Sequence, residues 1–270
     1  MHESVLARLG WHSAGFKGSK IYYRTLGPFA IAKLQRPKNI DLKWLREFRR
    51  SRHCLTTYIE PGLSTHSSLI VRGIPTEPFA HSTTSLVDLM PKEQLILNSF
   101  SQKTRYNITH SLKKARLNIS SYPLSTVPEI ELQDFYSLHK SWSKKKNVIG
   151  YSDSLLSATI DSYKQSGELH FAYLDGALVA TLLVLYHDGV ATYWAAFANP
   201  EGYKSFAPTL LTWTAMQRAK SEGCEIFDFG GIYDSRYPKM YKKWIGFTKF
   251  KSGFNPTVIS YPPTTLQLFW

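Results

Sequence analysis

Two hairpin signals between apolar runs constrain the fold of this chain more than any other feature. Asp175-Gly176 and His187-Asp188-Gly189 each separate segments rich in aliphatic and aromatic residues. Asp-Gly pairs favour the positive-φ backbone of tight hairpin turns. They therefore predict three consecutive antiparallel strands, which cover 168–174, 178–186 and 190–197.

Helices predicted on both sides extend these strands into an ordered unit. A helix over 152–166, capped by Ser152 or Asp153, precedes them. A helix over 208–223 follows, because a proline stands at its start and a glycine at its end. A further strand over 225–229 leads into two glycines. This order of elements is similar to that of GNAT-like acyltransferases, in which two strands splay and leave a V-shaped substrate cleft.

The earlier part of the chain predicts a second, reduced set of such elements. Strands over 21–26 and 29–34 flank a Gly27-Pro28 turn, and Asp41 is positioned to cap a helix that ends near His53. Further strands are predicted over 55–60, 68–72 and 83–89. One helix or a pair of helices is predicted over 91–116, and another helix over 129–145.

The expected fold class is α/β with mixed sheets, arranged as tandem GNAT-like acyltransferase domains of which the first is shortened. Residues 1–90 form the reduced N-terminal domain in this prediction, and residues 91–258 form the C-terminal domain. Residues 259–270 form a tail that is expected to pack back on the first domain.

Positive charge is concentrated in the first part of the chain. The 270 residues carry 33 Lys and Arg against 20 Asp and Glu, a net charge of +13. Residues 1–120 hold 19 of the basic residues and 7 of the acidic ones, mainly in two blocks, 33–52 and 103–116. Such asymmetry points to an anionic partner: RNA, a diphosphate substrate or an acidic membrane surface. The simpler alternative is that both blocks are solvated helix faces.

Several common chemistries lack their motifs. The chain has neither a G-x-S-x-G nucleophile motif nor a P-loop. Cys54 and Cys224 are isolated and the nine histidines do not cluster, so neither a disulfide framework nor a metal site is expected.

The apolar stretch at 177–186 is far shorter than the ~20 residues of a membrane helix, and the N-terminus lacks a signal-peptide core. A cytoplasmic location is expected.

The loop segment before the helix at 208 lacks the coenzyme A signature. Acetyl-CoA users with this element order hold the pyrophosphate on a loop of the form Gln/Arg-x-x-Gly-x-Gly/Ala. The segment from Asn199 to Phe206 reads N-P-E-G-Y-K-S-F and does not match. The usual anion-binding turn at a helix N-terminus is therefore missing. A donor other than acetyl-CoA is favoured.

Five short motifs follow one another between residues 59 and 254. They are Ile59-Glu60-Pro61, Thr84 to Leu89, Lys103-Thr104-Arg105-Tyr106-Asn107-Ile108 with Lys113 and Lys114, Pro208 to Gly231, and Phe250-Lys251-Ser252-Gly253-Phe254. In this order they resemble the motifs of the Fem aminoacyltransferases, the tRNA-dependent enzymes that build peptidoglycan interpeptide bridges. Two departures are Asn255, where the family has glycine, and a first domain shorter than usual.

The resemblance implies an activity and its partners. An aminoacyl group would pass from tRNA to the side-chain amine of the third residue of a peptidoglycan stem peptide. The acceptor would be a muramyl-pentapeptide precursor, either lipid-linked or UDP-linked. Aminoacyl-tRNA would be the co-substrate and no cofactor is implied. The protein would be a cytoplasmic monomer with peripheral contact to the inner face of the membrane.

The resemblance also implies site residues. Lys251 would stabilise the oxyanion formed during ester aminolysis or neutralise the tRNA 3′ end, and Phe250 would shape the terminal adenosine site. The acceptor would contact Tyr193, Trp194, Lys145, Lys146, Tyr151, Asp228 and Gly230. The tRNA would contact Arg46, Arg49, Arg50, Arg105, Lys113 and Lys114. Neither a general base nor a metal ligand is implied.

Plainer interpretations stand beside these roles. Lys251 could be a surface lysine at a strand end, and the lysines at 144–146 could simply complement a helix dipole. Tyr193 and Trp194 are adjacent on a strand, so one is expected in the core and the other in the cleft.

Two alternative functions remain for the whole chain. One is a GNAT-like N-acyltransferase that uses an acyl-CoA on an amino-sugar or amino-acid amine. The other is a non-enzymatic RNA-binding protein.

Overall fold

The computed structural model describes residues 3–16, 19–63, 73–78, 80–147 and 150–268. The chain divides into two compact units, each drawn from more than one stretch of sequence. Unit 1 comprises Met1–Thr83, Gly231–Trp244 and Ile259–Trp270, and unit 2 comprises Thr84–Gly230 and Ile245–Val258. Relative to the division expected from the sequence, residues 84–90 lie in unit 2 and residues 231–244 lie in unit 1.

Helices and strands alternate in the described residues, as expected for an α/β protein. The helices are α1 (Glu3–Arg8), α2 (Leu42–Ser51), α3 (Glu93–Ser99), α4 (Gln102–Lys113), α5 (Glu129–Lys146), α6 (Asp153–Ser162), α7 (Pro200–Lys204), α8 (Ala207–Ser221), α9 (Pro238–Tyr241) and α10 (Ile245–Ser252). The strands are β1 (His12–Phe16), β2 (Ser19–Leu26), β3 (Phe29–Gln35), β4 (Cys54–Glu60), β5 (Ile74–Pro75), β6 (Thr83–Asp88), β7 (Asn118–Pro123), β8 (Gly167–Leu174), β9 (Ala177–His187), β10 (Val190–Ala198), β11 (Ile226–Gly231), β12 (Thr257–Ser260) and β13 (Thr265–Leu268).

A seven-stranded mixed sheet contains the three-strand meander predicted around the Asp-Gly turns. Its order is β12-β6-β11-β10-β9-β8-β7. Strands β8, β9 and β10 pair antiparallel, whereas β10 and β11 pair parallel. Asp175 and Asp188 have φ angles of 50° and 48°, which tight hairpin turns require. The meander is therefore confirmed, and a parallel strand stands beside it.

Two apolar layers cover opposite faces of this sheet. Leu182 and Val184 of β9 pack in the layer that also contains α3, α4 and α8, here called the α8 layer. Leu183 and Leu185 pack in the layer that contains α5 and α6, here called the α5 layer. Successive strand residues point to opposite faces of a sheet. Because both faces are covered here, adjacent β9 residues from Leu182 to Leu185 are all apolar.

The sheet of unit 1 has six strands in the order β1-β2-β3-β4-β13-β5. Strands β3 and β4 are parallel and stay paired from Ala30–Cys54 to Gln35–Glu60. The C-terminal strand β13 pairs antiparallel with β4, so the tail is part of this sheet. Asp41 caps α2 as predicted, because its carboxylate accepts hydrogen bonds from the amides of Lys43 and Trp44, both at 2.9 Å.

Some elements differ from the sequence prediction. The predicted loop after β10 contains the short helix α7, which begins at Pro200 after Asn199 caps it by accepting from the Gly202 amide at 2.8 Å. For the helical region 91–116, predicted as one helix or a pair, the pair is observed: α3 and α4, separated at Phe100–Ser101. The strands β1, β7, β12 and β13 and the helix α10 were not predicted. The strand predicted over 68–72 lies outside the described residues.

Candidate active site where β10 and β11 separate

The parallel strands β10 and β11 separate near their middle. Among the described residues, their register runs from Val190–Ile226 to Thr192–Asp228, although both strands continue beyond that pair. At the next residues of β10, its register with β9 shifts between Tyr193 and Ala195. Such a bulge bends a strand and re-aims its side chains. The sheet of unit 2 therefore opens between two adjacent strands, as its element order predicts.

Asp228 and Gly230 shape the end of β11 at this opening. The Asp228 carboxylate accepts a hydrogen bond from the Gly230 amide at 2.7 Å and another from the Thr84 hydroxyl on β6. Gly230 has a φ of 69°, a conformation that side chains with a Cβ rarely adopt. It lies beside Tyr193, whose carbonyl oxygen would be 3.8 Å from an added Cβ. The carboxylate thus fixes a turn of backbone at the mouth of the opening.

Lys251 is buried on the side of the α8 layer. It lies in the last turn of α10 and is only 7% exposed, so the interpretation as a surface lysine at a strand end is wrong. Its Nζ lies 5.8 Å from the ring centroid of Tyr193 and 5.2 Å from that of Phe247. Burial lowers the pKa of its ammonium to about 8, an effect that the Asp228 carboxylate opposes. Lys251 is thus a cation held among aromatic rings beside the strand opening.

A tight contact between α10 and the start of α4 holds Lys251 in place. The Ser101 amide donates to the Gly253 carbonyl at 2.9 Å. A Cβ on Gly253 would lie 2.4 Å from the Thr104 hydroxyl oxygen, so only glycine fits there. Two motifs that are far apart in sequence, Lys103-Thr104-Arg105 and Phe250-Lys251-Ser252-Gly253, therefore meet in unit 2. Phe250 is half-buried and packs edge-on against Phe254, with 5.4 Å between the ring centroids.

Tyr193 and Trp194 are both half-buried, so the expected division into one core and one cleft residue is not observed. Tyr193 packs beside Phe229 in the α8 layer, with 5.7 Å between centroids, and burial raises the pKa of its hydroxyl. Trp194 lies against the α5 layer and stacks on Tyr151, with centroids 4.8 Å apart. Tyr193 and Trp194 lie on opposite faces because successive strand residues alternate. The bulge follows Tyr193 and leaves Trp194 and Ala195 on the same face, that of the α5 layer.

Lys145 and Lys146 are exposed at the end of α5. The Lys146 ammonium lies 4.9 Å from the ring centroid of Tyr203. Trp142 donates from its indole nitrogen to the Tyr203 hydroxyl at 3.1 Å and packs on Phe197 of β10. Lys146 therefore stands beside Tyr203 and Trp142 on the α5 face of β10, the face on which Tyr151 and Trp194 stack.

The residues predicted to contact tRNA fall into two groups. Arg46 and Arg50 on α2, and Lys113 and Lys114 at the end of α4, have exposed side chains. Two arginines instead make internal bonds. Arg49 donates to the Gln267 side chain at 3.0 Å and to the Leu268 carbonyl, and Arg105 donates to the carbonyls of Asn98 and Phe100. These two guanidinium groups hold β13 and the end of α3.

Further cations were not singled out from the sequence. Lys242, Lys243 and Lys249 are exposed shortly before Lys251 in the chain. A signal for them was present, because no Asp or Glu follows Asp234 in the 270 residues. The last part of the chain is therefore uniformly basic, although the overall charge balance of residues 121–270 conceals it.

The amides that precede α8 are engaged within the protein. Those of Gly202, Tyr203, Ser205 and Phe206 donate to acceptors between Asn199 and Tyr203. A Cβ on Gly202 would lie 2.2 Å from the Val179 carbonyl, so the segment packs directly on β9. Phe206 occupies the cap position of α8 without a capping side-chain bond. These four amides are thus not free to bind a pyrophosphate.

Metal-binding clusters and membrane-spanning helices are both missing from the part of the chain that the structure describes. The described residues contain no group of three or more His, Cys, Asp or Glu side chains arranged to hold a metal ion. None of their helices combines the length and apolar character needed to cross a bilayer.

Comparison with known proteins identifies the class of fold. Residues 102–243 match the family model described as an acetyltransferase (GNAT) domain. No curated protein matches the chain in sequence. The solved structure of FemX is similar with a TM-score of 0.79 at 12% identity, over 98% of this chain and 90% of that one.

Two other solved structures share the fold. One is the C-terminal domain of a putative lysylphosphatidylglycerol synthetase from Agrobacterium fabrum, with a TM-score of 0.64, 17% identity and coverage of 99% of this chain and 88% of that one. The other is a tandem GNAT protein from the clavulanic acid biosynthesis pathway, with a TM-score of 0.54, 11% identity and coverage of 95% and 81%. The tandem GNAT-like fold of the Fem type, predicted from the sequence, is confirmed.

Proposed function

Because the chain belongs to the acetyltransferase (GNAT) domain family and is thus an acyltransferase, we propose that it transfers an aminoacyl group from tRNA to a peptidoglycan precursor. The observation that carries this proposal is Lys251, a buried cation beside the opening between β10 and β11. The likeness of the fold to FemX and the five Fem-like motifs support the acceptor, the side-chain amine of a stem peptide.

The chemistry follows from the charge of Lys251. Attack of the neutral amine on the ester carbon forms a C–N bond and an oxyanion, and the C–O bond to the tRNA ribose then breaks. The amine loses one proton and the ribose oxygen gains one, so the step is balanced without a cofactor. A cation stabilises the oxyanion best where water is scarce. A pKa of about 8 leaves most Lys251 side chains charged at neutral pH.

Asp228 and Gly230 have a positioning role in this proposal. The carboxylate attracts the Lys251 ammonium and holds the Gly230 amide, so both groups have fixed positions beside the opening. The stacked Tyr151 and Trp194 provide an aromatic wall for the acceptor peptide on the other face. Lys145 and Lys146 would bind its diphosphate as exposed cations at the end of a helix.

The alternative donor, an acyl-CoA, has less support. Its pyrophosphate needs free amides before α8, and the amides of 202, 203, 205 and 206 already donate internally. A tRNA donor needs exposed cations, which Lys113 and Lys114 supply in unit 2 and Arg46 and Arg50 supply in unit 1.

A transfer assay distinguishes these donors. The purified chain is incubated with radiolabelled aminoacyl-tRNA and, separately, with radiolabelled acetyl-CoA, each with UDP-linked or lipid-linked muramyl-pentapeptide. The proposal expects label on the peptide when aminoacyl-tRNA is the donor. No label is expected when ribonuclease digests the aminoacyl-tRNA before the protein is added. Label on the peptide from acetyl-CoA alone would overturn the donor, and label that remains on a phospholipid extract without any pentapeptide would overturn the acceptor.

A further inference from the structure

The tip of the β2–β3 hairpin in unit 1 exposes a group of apolar side chains. Leu26 and Phe29 are the last register pair before the turn and are 51% and 45% exposed. Leu55, the bulge residue at the start of the neighbouring strand β4, is 42% exposed. Exposed apolar side chains on neighbouring strand ends can mark a contact surface. Leu26, Phe29 and Leu55 are called the hairpin tip below.

Arginines are frequent in the sequence segments next to the hairpin tip. Arg24, Arg50 and Arg52 are all exposed on the segments that form this end of the sheet. The Ala30 amide donates to the His53 carbonyl at 3.2 Å, which ties the residues after α2 to the base of the hairpin. The segments 21–31 and 49–57 contain no Asp or Glu, and Glu47 is the single acidic residue between 42 and 59. The apolar tip thus stands in a positively charged setting.

We propose that the hairpin tip docks the protein on an anionic lipid bilayer. Leucine and phenylalanine side chains gain free energy by entering the boundary between headgroups and acyl chains. Arg24, which lies on the same face of the hairpin as Leu26, offers lipid phosphates a planar contact with two hydrogen bonds. RNA fits less well, because Leu26 and Leu55 offer neither a flat face for base stacking nor a hydrogen bond. The inference concerns unit 1 alone and goes beyond the proposed transfer reaction.

Vesicle sedimentation with the full chain tests this proposal. The expected result is binding to phosphatidylcholine vesicles that contain phosphatidylglycerol, and far weaker binding to phosphatidylcholine alone. The variant L26S/F29S should bind about tenfold more weakly, because two inserting side chains become polar. The variant R24Q should lose about fivefold at low salt, because Arg24 lies on the same hairpin face as Leu26 and Phe29. Ile130→Ser, at a 65% exposed apolar position in unit 2, is the matched control and should bind as the wild type does.

Three outcomes would overturn the assignment. The first is equal binding to anionic and neutral vesicles. The second is unchanged vesicle binding by L26S/F29S, with thermal unfolding showing that the variant is folded. The third is loss of affinity for a tRNA probe in R24Q while vesicle binding is unaltered, which would assign the surface to RNA. Transfer to a soluble UDP-linked acceptor should be unchanged in L26S/F29S, so this test is independent of the proposed reaction.

Discussion

Lys251 combines a buried position with the charge that the proposed chemistry needs. Because burial lowers its pKa to about 8, the fraction that carries an ammonium falls as pH rises through that value. The acceptor amine reacts in its neutral form, so its deprotonation alone would make the rate rise up to about pH 10. If the Lys251 ammonium stabilises the oxyanion, the rate of transfer, corrected for spontaneous ester hydrolysis, should instead level off near pH 8. In Lys251→Arg the guanidinium stays charged, so any remaining activity should keep rising past pH 8. A wild-type rate that keeps rising beyond pH 9 would contradict this role.

The same buried charge lowers the stability of the fold. The folded-state pKa of about 8 lies below the ordinary 10.5, so the unfolded chain binds more protons between these values and stability rises with pH there. Lys251→Met keeps the length of the side chain without the charge. Below pH 8 the variant should be more stable by up to about 3 kcal/mol, an advantage that shrinks toward pH 10.5. Denaturant unfolding at pH 7 and pH 10 measures the difference, and a variant less stable at pH 7 would refute the prediction.

Individual side chains also mark the limit of what the sequence could reveal. Lys251 was identified through its motif, but its burial was not, because the rings that enclose it come partly from β10. Arg49 and Arg105 were interpreted as RNA contacts from the local density of charge. The acceptors of Arg49, Gln267 and the Leu268 carbonyl, are more than 200 residues away in sequence. A local pattern contains no information about such partners.

At the scale of elements, the position of α10 depends on one glycine. A Cβ at Gly253 would lie 2.4 Å from the Thr104 hydroxyl oxygen and 3.2 Å from the Phe250 carbonyl. Gly253→Ala should therefore destabilise unit 2 by about 1–3 kcal/mol, as overpacking does. Thr104→Ala in the same chain removes the nearest atom and should restore part of the loss. Chemical unfolding of the two single variants and the double variant measures this coupling, and strictly additive effects would show that the contact does not position α10.

Elements with strong local signals were predicted and elements without them were not. The hairpins of the meander have Asp-Gly turns, and α2 has an Asp41 cap, so both could be located from neighbouring residues. The helix α7 was interpreted as loop because its five residues include a proline and a glycine. Strand β7 is at the edge of its sheet and half-buried, so it lacks the apolar alternation that identifies a strand.

At the scale of the whole molecule, the two units are discontinuous in sequence. Residues 231–244 and 259–270 belong with the first 83, and residues 245–258 belong with unit 2. Local patterns predict elements but do not report which distant strand an element joins. The tandem fold could be inferred from the order of the elements. The division of the last 40 residues between the two units could not.

The charge distribution of the molecule makes a prediction about salt. If Lys113 and Lys114 contact tRNA phosphates, the logarithm of the affinity falls linearly with the logarithm of the salt concentration. Lys113→Gln and Lys114→Gln should each reduce the magnitude of that slope by about one. Lys164→Gln, at an exposed lysine outside the basic block, is the matched control and should leave the slope unchanged. Filter binding over a salt series measures this, and equal slopes in all variants would exclude the two lysines from the interface.

Single-turnover transfer of an aminoacyl group from tRNA to the pentapeptide, compared between Lys251→Met and Lys249→Met, tests the central claim most directly. Both lysines lie on α10, but Lys249 is exposed and Lys251 is buried beside the strand opening. The account predicts a loss of about 10²–10³-fold in Lys251→Met, as for removal of an oxyanion donor, with tRNA binding retained. Lys249→Met should react at nearly the wild-type rate. Equal rates in the two variants would contradict the assignment of the active site to Lys251.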